Sequence, residues 1–147
     1  MKLWAKKKCP VGGTTDFSVF FFYDALQGKE SVCPLKPDTP LPMMYMPDCL
    51  KAVSDMLTAP RSVLKQCVYN VNAYSLTPRQ VEVAIKKEIP SWTVRYEPDF
   101  RQAIADSWPH LMDSHNAKEQ WGFAPQFDVP ATFKDLFANL RVLLEKK

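Results

Sequence analysis

GGTTDFSVFFFYDAL, residues 12–26, is the stretch on which the reading of this chain turns. Two glycines, two hydroxyls and a carboxylate (Gly12, Gly13, Thr14, Thr15, Asp16) lead into an apolar run, and Gly28 stands ready to end a helix over residues 17–26. Phe17, Val19, Phe20, Phe21, Phe22, Tyr23, Ala25 and Leu26 cover nearly every face of that helix. A helix apolar all round is one buried on all sides. A chain of 147 residues has little material with which to do this, so an exposed apolar surface is expected around residues 17–23.

Outward from this helix the elements alternate as in an α/β protein. Residues 32–35 suit a short strand, followed by a proline-rich loop through Pro42 and a second apolar run over residues 43–46. Asp48 is placed to cap the next helix, whose Leu50, Val53 and Leu57 share one face and which Pro60 limits. Residues 67–71 read as a buried strand. Thr77, Pro78 and Gln80 form a helix start with a reciprocal cap; Val81, Ala84 and Ile85 supply its inward stripe and Pro90 its stop. Trp92, Val94 and Tyr96 alternate as in a half-buried strand. The last helix carries Phe133, Leu136, Phe137, Leu140, Leu143 and Leu144 at helical spacing.

Length allows one domain, and 46% hydrophobic with 24% charged residues reads as soluble and globular. No stretch approaches the roughly 20 apolar residues of a membrane span. The net charge of +3 is carried by the ends. Lys2, Lys6, Lys7, Lys8, Lys146 and Lys147 are six of 19 basic residues, leaving 13 against 16 acidic ones. That is a solvated tail over residues 1–11 and a basic C-terminus, not the basic stripe of a nucleic-acid binder. Cys9, Cys33, Cys49 and Cys67 contain no Cys-x-x-Cys pair, so free thiols are expected, with neither zinc clip nor redox dithiol. His110, Asp113 and His115 do not follow the i, i+4 spacing of helical metal ligands.

Two absences limit the chemistry. The only glycines are Gly12, Gly13, Gly28 and Gly122, too few and too scattered for a dinucleotide fingerprint or a P-loop. A Tyr-x-x-x-Lys pair, in which the lysine one helical turn on lowers the tyrosine pKa for proton transfer, is also missing. The residues four after the five tyrosines are Gln27, Cys49, Ala73, Pro78 and Phe100. Against these stand two positive signals. Residues 12–16 can meet the amine, hydroxyl and carboxylate of a small amino acid, or serve merely as a helix cap. In residues 103–109, Trp108 can wall a ligand with Asp106 or Ser107 as polar partners, or lie in the core.

GGTTDF (12–17), FYDAL (22–26), LKPDT (35–39), LPMMY (41–45), YNV (69–71), RQAIADSWP (101–109) and WGF (121–123), in that order, resemble the C-terminal portion of the L-threonine 3-dehydrogenase family, which are extended short-chain dehydrogenases. The likeness runs from about residue 12 to residue 140. It implies a partial extended short-chain dehydrogenase fold: the substrate-binding C-terminal subdomain over residues 12–147, without the Rossmann nucleotide-binding half. It also implies the family's NAD-dependent oxidation of L-threonine to 2-amino-3-ketobutyrate, in mitochondria for the animal enzymes. No convincing transit peptide is present, which leaves a cytoplasmic location open. Carried across by position, Thr14 contacts substrate with Gly13, Thr15 and Asp16 as neighbours, and Trp108 closes over it. Pro40, Pro47, His110, Leu111, Ser114 and His115 depart from the family's pattern.

The expectation is therefore a truncated threonine-dehydrogenase-like chain, inactive alone, with no cofactor of its own, no nucleic acid and no membrane as partners. Two rivals stand beside it. One is a non-catalytic module that self-associates or docks through the apolar helix Phe17–Leu26. The other is a fragment of a longer active enzyme.

Overall fold

The computed structural model describes residues 12–145. The basic tail expected over residues 1–11 lies outside them. The described chain falls into two compact units.

The first unit contains α1 (Phe17–Leu26), β1 (Ser31–Cys33), α3 (Pro78–Glu88), β4 (Val94–Tyr96), α4 (Phe100–Asp106) and α6 (Val129–Glu145) from Phe133 onward. β1 and β4 pair in parallel, Ser31 opposite Val94 and Cys33 opposite Tyr96. α1 has the bounds expected for it, but its surroundings differ. Phe17 and Phe21 pack towards Trp92, with the Phe21 and Trp92 rings 5.2 Å apart. On its other side Phe22 meets Phe133 at 5.2 Å and Phe137 at 4.9 Å. Phe17, Phe21, Phe22 and Ala25 are buried, and only Val19 of the apolar run is exposed. The expected exposed surface over residues 17–23 is thus largely absent, because Trp92 and the last helix supply the cover. Each buried ring removes enough apolar area to be worth about 1.5–3 kcal/mol.

Local chemistry sets α3 as expected. Thr77 accepts from the Gln80 N–H at 3.2 Å while Gln80 accepts from the Thr77 N–H at 2.9 Å, and Val81 and Ile85 are fully buried. Pro78, in the first turn, forgoes only an N–H that has no helical acceptor.

The second unit contains β2 (Leu41–Met43), α2 (Met46–Thr58), β3 (Tyr74–Leu76) and α5 (His115–Trp121). β2 and β3 are antiparallel, Leu41 opposite Leu76. Pro42 is tolerated because a two-stranded ribbon leaves each strand one free edge. Ala52, Ala117 and Phe123 form its core, with Met44, Tyr69, Val71 and Trp121 against them.

Two expectations fail here. Residues 67–71 are not a strand: Cys67 and Val68 are exposed. Flanking N–H groups bond side chains instead of a neighbouring strand, Lys65 to Gln120 at 2.9 Å and Asn72 to Ser114 at 2.9 Å. The strand lies a few residues on, at β3. Asp48 is not a cap: α2 starts at Met46, and the Asp48 carboxylate, 2% exposed, accepts the N–H groups of Gln126 and Phe127. Leu50, Val53 and Leu57 share one face as expected; that face is exposed, with Met46 continuing it.

Candidate functional site

Loop 12–16 folds on itself before α1. The Gly13 N–H donates to the Asp16 carboxylate at 2.7 Å and the Asp16 N–H returns to the Gly13 carbonyl at 3.2 Å. The Asp16 side chain therefore holds the loop and makes no side-chain cap to α1. A Cβ on Gly12 would stand 3.0 Å from a ring carbon of Phe20, so the glycine is needed for close approach. Thr14 is 8% exposed.

Two residues of the 101–109 block tie it to two other resemblance segments, 12–17 and 35–39. Arg101 Nη1 donates to the Gly12 carbonyl at 3.1 Å, while its Nε and Nη2 grip Asp99 at 3.0 and 2.6 Å. Asp99 in turn accepts the Arg101 N–H at 2.9 Å and caps α4. The Arg101 guanidinium, hydrogen-bonded to Asp99, is held above its ordinary pKa, and the Asp99 carboxyl, by the same bonds, below its own. Gln102, nearly buried, accepts the Lys36 N–H at 2.7 Å and donates to Thr39 at 3.0 Å and Asp106 at 2.6 Å. Segments 12–16, 35–39 and 101–106 thus form one hydrogen-bonded assembly. Sequence reasoning, drawn to Trp108 and Asp106, missed Arg101 and Gln102. No local signal marks them, because both act through bonds to segments far along the chain.

A cavity of about 180 Å3 opens beside the loop, lined among others by Gly12, Gly13, Asp16, Phe20, Asp24 and Arg101. Of the five residues expected at the site, Gly13 and Asp16 line it; Thr14, Thr15 and Trp108 do not. Trp108 sits just after α4, its N–H closing onto the Ala105 carbonyl, and is 38% exposed, so the core reading of this tryptophan is corrected. Asp106 and Ser107 are engaged locally, Ser107 with the Ile104 carbonyl at 2.7 Å. Cys33 lies against the Arg101 charge, but burial pushes its thiol up to about 11, which removes it as a neutral-pH nucleophile. Among the described residues no three of His, Cys, Asp and Glu converge as a metal site, and His115 instead faces Glu119 at 3.2 Å. No helix among them is long and apolar enough to cross a membrane.

Among the described residues, none of the glycine turns fits a dinucleotide. Gly28 and Gly122, the glycines with positive φ, follow the C-terminal ends of α1 and α5, where carbonyls rather than N–H groups are free. Gly12 and Gly13 do precede a helix N-terminus, but the Asp16 carboxylate already occupies the Gly13 N–H and would repel a phosphate.

No family model matches the chain. The mitochondrial L-threonine 3-dehydrogenase of Bos taurus is 45% identical over 122 residues, 82% of this chain and 33% of its own length. Among solved structures, the GalE-like L-threonine dehydrogenase of Cupriavidus necator superposes with a TM-score of 0.86 at 42% identity, over 89% of this chain and 48% of that one. The L-threonine dehydrogenase of Phytophthora infestans gives a TM-score of 0.86 at 43% identity, over 90% and 43%. The α/β fold matches theirs, and the chain spans about a third of the length of the curated relative.

Proposed function

We propose, from the premise that this chain is homologous to L-threonine 3-dehydrogenase over most of its own length, that it is the substrate-side portion of such an enzyme and that these 147 residues do not oxidise L-threonine by themselves. Thr14 contacts the substrate hydroxyl or ammonium, with Gly13, Thr15 and Asp16 shaping the loop, and Trp108 closes over it. What supports this reading is the loop's tie to the 101–109 block through Arg101 and Gly12. The substrate-side scaffold is kept, whereas no Tyr-x-x-x-Lys pair and no glycine-rich cradle occur in the sequence. Positioning accelerates a reaction only when the reacting groups are also held in place. NAD chemistry and a mitochondrial location belong to the full-length relatives and extend to this chain only in company with a nucleotide-binding half. Tryptophan fluorescence tests the cofactor side: NAD should give no saturable change, and a micromolar response would refute the reading.

A second reading is favoured by α2. Met46, Leu50, Val53 and Leu57, between 53% and 80% exposed, form one apolar helix face. Two copies packed antiparallel along it would bury these four side chains in an apolar seam. The chain would then be a non-catalytic, self-associating module. Size-exclusion chromatography with light scattering decides: a dimer dispersed by Leu57→Glu supports it, and a monomer at high concentration rejects it.

A further inference from the structure

We propose that Arg101 is the positioning residue of loop 12–16, setting its orientation without touching substrate; this rests on the reading of that loop as substrate-facing. The loop's own bonds are short-range, Gly13 with Asp16 and Thr15 with Ser18. Among the described residues, the bond from Arg101 to the Gly12 carbonyl is the hydrogen bond that ties it to a distant segment, 89 positions along the chain.

The geometry calls for arginine. Nε and Nη2 are spent on Asp99, which fixes the guanidinium plane. Asp99 is itself fixed by the N–H of the helix it caps. The third arm, Nη1, is therefore aimed before it meets Gly12. A lysine carries the same charge on a flexible stem and has no fork to divide between two partners. Phe20 sets the floor beneath Gly12 and Arg101 the direction of its carbonyl. Together they decide where the following Thr14 stands. A misplacement of about 1 Å at such a loop costs on the order of a hundredfold in positioning.

The test uses the full 147-residue chain, 15N-labelled, as wild type, Arg101→Lys and Arg101→Ala. The readouts are amide spectra, hydrogen exchange, thermal melts and titration with L-threonine. In both variants the amides of Gly13, Thr14 and Thr15 should shift and exchange faster, while those of Val81, Ile85 and Phe137 stay in place. L-threonine affinity should fall at least tenfold in Arg101→Lys, because charge alone does not rescue aim. Should Arg101→Ala not fold, Arg101→Lys and Asp99→Asn carry the comparison. Loop amides in Arg101→Lys that coincide with wild type overturn the proposal, as do shifts spread through α3 and α6. A wild-type chain with no affinity for L-threonine overturns the substrate reading, while the loop amides still decide the role of Arg101.

Discussion

Tyr96 donates its phenolic proton to Glu82 across 2.5 Å, from β4 to α3. Burial, then the Glu82 bond and charge, raises the Tyr96 pKa well above its ordinary 10.0. Burial also acts to raise Glu82, but bonds from Lys86 and Tyr96 outweigh it and leave the carboxyl below its ordinary 4.5. The two shifts act at opposite ends of the pH scale. The raised phenol contributes stability in full below pH 10.0, lost as pH climbs past it; the lowered carboxyl contributes above pH 4.5, lost as pH falls below it. Thermal melts across pH 3–12 should therefore show Tyr96→Phe with flatter acid and alkaline limbs than wild type. Part of the alkaline loss will remain, since burial raises Tyr74 too. Identical limbs would exclude the coupling.

Asp48 should be among the costliest polar residues to remove from the second unit. Its two oxygens accept the Gln126 and Phe127 N–H groups at 2.9 and 3.0 Å from a site 2% exposed. Asp48→Ala leaves two partly buried donors without their acceptor, at a cost of about 1–3 kcal/mol in urea unfolding. Asp48→Asn keeps one acceptor and should fall between. A loss under about 0.5 kcal/mol, the range of ordinary surface substitutions, would mean water replaces the carboxylate freely.

Thiol labelling at pH 7.5, resolved by peptide mass spectrometry, should order the cysteines by burial. Cys67 is exposed and Cys49 half-buried; Cys33 is fully buried with its thiol pushed up to about 11. Among these three, Cys67 should react first and Cys33 only on unfolding. Early labelling of Cys33 would show that the first unit opens readily.

Thr77→Ala removes one half of the cap of α3 and should cost about 1 kcal/mol. Thr77→Ser keeps the acceptor and should be close to neutral. Equal losses in the two would assign the effect to packing of the threonine methyl.

How much of this was legible follows from where the information lies. The bounds of α1 and the start of α3 were readable because their signals are local: a run closed by glycine in one, Thr77, Pro78 and Gln80 in the other. Asp48 was misread because a carboxylate before an apolar run signals a cap, whereas its partners here lie 78 and 79 residues away. The α2 stripe was legible as a single face, but helical spacing shows which residues share a face, not what that face meets. At the site, the resemblance picked out the loop and Trp108, but Arg101 and Gln102 act through long-range bonds that no local pattern encodes.

Absorbance at 340 nm tests the central claim most directly, with the purified 147-residue chain, L-threonine and NAD. No NADH should form, and activity should appear only if a nucleotide-binding half is supplied. Steady, enzyme-dependent NADH production by this chain alone would contradict the account.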